Sequence, residues 1–448
     1  NFNAGQTVPN LVIAKVGAGG WISIYNRLGD THVVVDVMGW FSTTDTQGLA
    51  AGASETSAVD INGAPVTGDV SGVSGDGRYS LFTTGAGTVS PHGSAPQGGL
   101  FVRDSVLGIT TEIAATAATP GSSVAGAGLT ADGRYALWTT SEGLVPPDTN
   151  GADDVYVSDL ATGYIFLLSY KPTSQTTGVV GNQRSQALAI SPNGSYVTFV
   201  TMSTNLATGT TGTGDLVVQD ESTGATTRVA AWPAGVLNDR HGHQTVADTG
   251  DVVFSEAPAP GGVSQVYVWR SASKTSTLVS QPTGTSGTGG AAGSWHPAIS
   301  GNGRYVSFTS QAALDPKDTN GADDVYLRDT TTNTTTLVSV NAAGTAAGNG
   351  ASNWSSISTD GSAVAYQSVA KDLVASPAVT GTFPQVFRWV RTSGTTTLVS
   401  AAGGAAANAQ AVEPIINSSG TFVGYATNAS NLVPGAVANW QGVLTRAG

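Results

Sequence analysis

The chain has 448 residues, with 18 basic and 30 acidic side chains and a formal net charge of −12. The basic residues are scattered singly, which excludes the Lys/Arg clusters that a phosphate backbone demands and with them a nucleic-acid partner. There is no cysteine, hence no disulfide or thiolate metal site, and no apolar run is long enough to span a membrane as a helix.

The chain starts at Asn1, without an initiator Met or a signal-peptide pattern. The expectation is a processed, exported protein, secreted or held at the cell surface. Residues 1–45 carry strand-like runs, Gln6–Val12, Trp21–Asn26 and Thr31–Phe41. So few strands bury too little surface to stand alone. They are expected to pack on the remainder, to pair with another chain or a second copy, or to complete an absent upstream region. Residues 46–54 read as a linker.

From residue 55 to 448 one phrase returns about every 55 to 60 residues. A Ser-x-Asp/Asn-Gly-Arg-Tyr-x-x-Phe hairpin is followed by a loop, and then by a Thr-Thr-Thr-Leu-Val-Ser strand. The hairpin turns fall at Asp76-Gly77, Asp132-Gly133, Asn193-Gly194, Asp248-Thr249-Gly250, Asn302-Gly303, Asp360-Gly361 and Ser419-Gly420. Asp-Gly and Asn-Gly at such positions predict type I′ turns. The alternation in Tyr135-Ala136-Leu137-Trp138 and Tyr305-Val306-Ser307-Phe308 predicts strands that bury one face. Short strands repeating at this period are the signature of propeller blades.

The fold class is therefore all-β: a seven-bladed β-propeller of four-stranded antiparallel blades, plus the short N-terminal β segment. The last blade ends at Gln441–Arg446 without an outer strand, and Ser57–Gly63 offers a matching one. Residues near 55–62 are expected to close the ring and remove an open sheet edge.

The hairpins, with the Asp-Val-Tyr-x-x-Asp strands at 154–159 and 324–329, resemble the TolB-like or WD40-like (PD40) propeller family. That resemblance implies binding or scaffolding more often than catalysis. Gly5–Val12 and Thr31–Val37 resemble a β-rich module of secreted actinobacterial proteins, whose preceding strands are missing from this sequence.

Two acidic loops stand out: Asp148-x-Asn150-x-x-Asp153-Asp154 and Asp318-x-Asn320-x-x-Asp323-Asp324. Hard oxygen ligands gathered in one turn suit a structural calcium ion. The competing reading is an Asx-turn loop whose carboxylates cap backbone amides. A second group leads into the inner strands: Arg184, then Arg240, His241 and His243, then Trp295 and His296, then Trp354. Aromatic faces beside amides and an Arg suit a polar ligand, polysaccharide included. His241, His243 and His296 could serve a metal-dependent lyase or hydrolase, but no nucleophile elbow, phosphate loop or zincin motif accompanies them. The leading expectation is a non-catalytic, extracellular protein-binding or assembly module, with a lectin-like propeller as the alternative.

Overall fold

The structure is a computed structural model that describes residues 49–448, apart from 61, 86–87, 91–92, 96–97, 116–123, 173–177, 233–243, 258–261 and 434–438. The described residues belong to one compact unit, Gln47–Gly448. The expectations for residues 1–45 lie outside them.

Seven antiparallel sheets follow one another as blades I to VII, each opening on the strand nearest the central channel. The inner strands are Gly68–Val73, Val124–Leu129, Ser185–Ile190, Ser294–Ile299, Ser352–Ile357 and Ala411–Ile416 in blades I, II, III, V, VI and VII. Blade IV departs from the expected four strands. Among the described residues its inner strand is reduced to a bridge between Val246 and Val252, beside the strands Val252–Glu256, Gln265–Arg270 and Thr275–Leu278.

The ring closes as the sequence suggests, a few residues earlier than Ser57–Gly63. Ser54–Thr56 becomes the outer strand of blade VII, pairing Ser54 with Thr445 and Thr56 with Val443. The N–H groups of Ser57 and Ala58 then donate to the Gly442 carbonyl at 2.9 and 3.3 Å.

The hydrophobic core lies between blades. Tyr305, Val325 and Leu327 of blade V pack with Ile357, Tyr366 and Phe387 of blade VI in one buried cluster. The period-2 pattern of each strand supplies a row of apolar side chains to each neighbour.

The hairpin turns differ from the expected I′ type. Gly77 N–H donates to Ser74 O at 2.9 Å, and of the turn residues only Gly77 has positive φ. A type I′ turn needs positive φ at both central residues, so this is a type I turn completed by a left-handed glycine. Asp76 instead accepts from the Ser74 hydroxyl (2.6 Å) and the Arg78 N–H (3.0 Å), which holds it in the right-handed region. Each of these glycines meets the preceding blade. A Cβ at Gly361 would lie 2.4 Å from the Tyr305 ring, and one at Gly133 would lie 2.4 Å from Tyr79.

Chain direction fixes the two faces. Inner strands start at the upper face, where the second strand also hands over to the third; the hairpin turns sit at the lower face. Below, Arg78, Arg134 and Arg304 pair with Asp104, Asp159 and Asp329 at 2.6–2.8 Å. Acidic loops and channel mouth share the upper face.

Candidate functional site

The acidic loops are bound into the fold. Asp148 accepts a hydrogen bond from the Tyr156 hydroxyl, and Asp318 accepts one from Tyr326. Asn150 Nδ2 donates to the Gly181 carbonyl and Asn320 Nδ2 to that of Gly348, both at 2.9 Å. Asp154 accepts from the Ser169 hydroxyl (2.5 Å), and Asp324 from that of Ser339 (2.6 Å).

Register explains the pattern. Asp154 and Asp324 open the third strands of blades II and V, where blades IV and VI carry Gln265 and Gln385. Gln385 accepts from Ser400 (2.6 Å) and donates to the Ala407 and Ala409 carbonyls at 3.3 and 3.1 Å. In blade V, Asp324 and Asn320 divide that task. The acid takes the serine, and the amide, 2.8 Å from Asp324 Oδ2, reaches the Gly348 carbonyl in the connection to blade VI.

Burial pushes the carboxyls of Asp154 and Asp324 up to about 7. Among the described residues no group of three or more His, Asp or Glu side chains could hold a metal ion. As placed, Ala152 N–H to Asn150 Oδ1 (2.7 Å) closes an Asx turn in the first loop, and Ala322 N–H to Asn320 Oδ1 (2.7 Å) closes the same turn in the second.

The aromatic group does assemble. His296 and Trp354, on the inner strands of blades V and VI, stack with ring centroids 3.9 Å apart and planes 18° apart. Trp295 meets His296 edge-on at 6.4 Å. These residues sit inside the inner strands rather than in the connections leading to them. Arg184 is exposed at the start of blade III, its Nε 3.0 Å from Met202 Sδ. Arg240, His241 and His243 lie outside the described residues.

Backbone geometry sets the aromatic pair apart. His296 has φ of 51° and Trp354 of 54°, each at a bulge where two residues face one on the second strand. Glu413 has φ of 56° at the same bulge of blade VII. In blades I–III the matching residues, Val70, Gly126 and Ala187, keep ordinary φ. Glu413 was not singled out above, although aligning His296-Pro297-Ala298-Ile299 with Glu413-Pro414-Ile415-Ile416 exposes the correspondence. The glutamate N–H donates to Gln367 Oε1 of blade VI at 2.9 Å.

Within the channel a small cleft is lined by Ser71, Ala127, Gln244, Ser356 and Ile415 among others.

The upper-face loops are tied down by a recurring asparagine clasp. Asn182 N–H donates to Asn205 Oδ1 (3.1 Å), and Asn408 N–H to Asn431 Oδ1 (2.9 Å). Asn349 N–H makes the same bond to Asp372 (2.9 Å). Each bond ties the segment leading into an inner strand to the loop after the second strand of the same blade.

No protein-family model matches the chain, and no curated protein matches it. Among solved structures it is similar to TolB from Acinetobacter baumannii at 13% identity and a TM-score of 0.38, covering 74% of this chain and 63% of that one. It is also similar to a putative TolB from Agrobacterium tumefaciens, at 17% identity and a TM-score of 0.36, over 64% of this chain and 88% of that one. The β-propeller domain of the Trilobed protease from Pyrococcus furiosus is similar at 7% identity and a TM-score of 0.48, over 81% and 92% of the two chains.

Proposed function

We propose that this chain is a non-catalytic binding propeller of an extracellular or cell-surface assembly, and that it takes a partner protein on its upper face. The observation carrying this reading is the His296–Trp354 stack, held at the channel mouth by two left-handed residues. Bulky residues in that region of φ/ψ cost about 1–3 kcal/mol each and gather at ligand clamps. A glycine would adopt the same backbone without cost. The side chains are thus what these positions supply.

The test is site-specific photo-crosslinking in extracts of the native envelope. A crosslinker replacing exposed Arg184 at the upper face should capture a discrete protein, whereas one replacing exposed Thr331 at the lower face should not. Equal capture from both positions, or none from Arg184, would count against the reading.

A further inference from the structure

We infer that the ring-closing segment Ser54–Ala58 is a displaceable latch, and that the edge of blade VII beneath it is a docking site for an extended protein strand ending in Leu-Val-Ser. This site lies on the outer edge of blade VII and is independent of the reading of the upper face.

Four blades finish their outer strand with the same side chains. Leu167, Leu278, Leu337 and Leu398 are followed by Leu168, Val279, Val338 and Val399, each 5% exposed or less, and then by Ser169, Ser280, Ser339 and Ser400. Each of these serine hydroxyls makes two bonds. It donates to the residue that opens the third strand, Asp154, Gln265, Asp324 or Gln385, at 2.5–2.7 Å. It also accepts the N–H of the residue after that one, Val155, Val266, Val325 or Val386, at 2.9–3.0 Å.

Blade VII has Thr56, Ser57 and Ala58 at those three outer positions, and Gly442 where the four blades carry valine. The backbone register is kept: Ser57 N–H donates to Gly442 O at 2.9 Å, as Val399 N–H donates to Val386 O at 2.8 Å. The side chains do not follow. The Ser57 hydroxyl is buried without a hydrogen-bond partner, at the position where the other blades bury an aliphatic residue. Gln441 Oε1 lacks its serine donor, and Glu55 Oε1 is a third buried oxygen without a partner, where Thr277, Thr336 and Thr397 stand elsewhere. Orphaned oxygens cost stability, and the apolar area that would anchor the strand is missing. Its ladder is also short, three residues against four to seven in the outer strands of the other six blades.

The segment that opens first in a fold is the one with the fewest buried contacts. Once it detaches, Gln441–Arg446 presents an open row of N–H and C=O groups, the template for strand addition. A strand ending in Leu-Val-Ser supplies what the latch lacks, two aliphatic side chains and a hydroxyl for Gln441.

The test begins with hydrogen exchange read at single amides, in wild type, Ala58→Ser and a double variant, Ser54→Cys with Thr445→Cys. The hydroxyls of that pair are 2.7 Å apart, and a chain without cysteine makes the engineered disulfide unambiguous. The amides of Ser57 and Ala58 should exchange about tenfold faster or more than those of Val399 and Ser400, which make the same bonds. Ala58→Ser should slow them, and the disulfide should slow them further. A fluorescent synthetic peptide with the sequence of Ser393–Ser400 should then bind wild type and the reduced double variant but not the disulfide form. Replacing its Leu-Val-Ser by Thr-Ser-Ala should weaken binding about tenfold or more. Exchange at Ser57 and Ala58 as slow as at Val399 and Ser400 would overturn the latch. Equal binding by the disulfide form, or no binding at millimolar peptide, would overturn the docking site.

Discussion

Ala58 and Gln441 meet at the seam where the ring closes, and the side-chain oxygen of Gln441 is buried there without a hydrogen-bond donor. In blades IV and VI the matching amides of Gln265 and Gln385 accept from the hydroxyls of Ser280 and Ser400, at 2.7 and 2.6 Å. Ala58 occupies the serine position: its N–H donates to Gly442 O as that of Ser400 donates to Val386 O.

The substitution Ala58→Ser should therefore stabilise the protein. A satisfied buried acceptor contributes about 0.5–1.5 kcal/mol, and an unsatisfied one costs about 1–3 kcal/mol. Thermal or chemical unfolding should show a higher midpoint in the variant. A lower midpoint would mean that the seam has no room for the hydroxyl.

The acidic loops give a second expectation. Because Asp148, Asp154, Asp318 and Asp324 already accept hydrogen bonds from protein groups, calcium and chelator should leave the melting temperature alike. Asp324→Ala should cost about 1–3 kcal/mol by stranding the Ser339 hydroxyl and the Asn320 amide. A calcium-dependent rise in melting temperature that disappears in Asp148→Asn and Asp318→Asn would show that the loops open to bind the ion.

Stability should also depend on pH with a definite sign. Burial raises the carboxyls of Glu55 and Glu221 to about 7, and those of Asp154 and Asp324 likewise. A group whose folded value is raised contributes fully below its unfolded value, near 4, and loses that contribution as pH climbs through 7. In the other direction, the guanidiniums of Arg134 and Arg304 hold Asp159 and Asp329 at about 2. Their contribution is present above the unfolded value and is lost as pH falls toward 2. The unfolding free energy should thus be highest at about pH 4 and should fall as pH rises from there toward 8. Glu55→Gln should flatten the decline on the alkaline side. A maximum at or above pH 8 would contradict this assignment.

Gly361 supplies a fourth expectation. Its φ is 68°, and an added Cβ would lie 2.4 Å from Tyr305 of the preceding blade. Gly361→Ala combines left-handed strain of about 1 kcal/mol with a displaced ring, so a loss of about 2 kcal/mol or more is expected. Gly394, with φ of 65° but open space around it, should lose about 1 kcal/mol, from strain alone. Equal losses at the two sites would show that the ring contact contributes nothing.

Much of this architecture is written in short-range pattern. The seven turns and the Thr-Thr-Thr-Leu strands recur at fixed spacing, and the missing outer strand of blade VII points to its substitute near Glu55. Turn type was less legible, because Asp76 takes its conformation from Ser74 and Arg78 rather than from the Asp-Gly pair alone. In the acidic loops, composition does not reveal where a carboxylate points. Only the alignment of Asp324 with Gln385, through strand register, shows its structural task. Trp295, His296 and Trp354 were legible as a neighbourhood, since adjacent repeats become adjacent blades. Glu413 was hidden because no aromatic residue marks it; its significance lies in a backbone angle shared with His296 and Trp354.

The account's central claim is that a partner protein is recognised on the upper face, beside the His296–Trp354 stack. The most direct measurement is photo-crosslinking from position 184 in native envelope extract, in wild type and in Trp354→Gly. The account predicts one discrete adduct in wild type, much reduced in the variant. An adduct of equal intensity in both would place the partner elsewhere on the propeller.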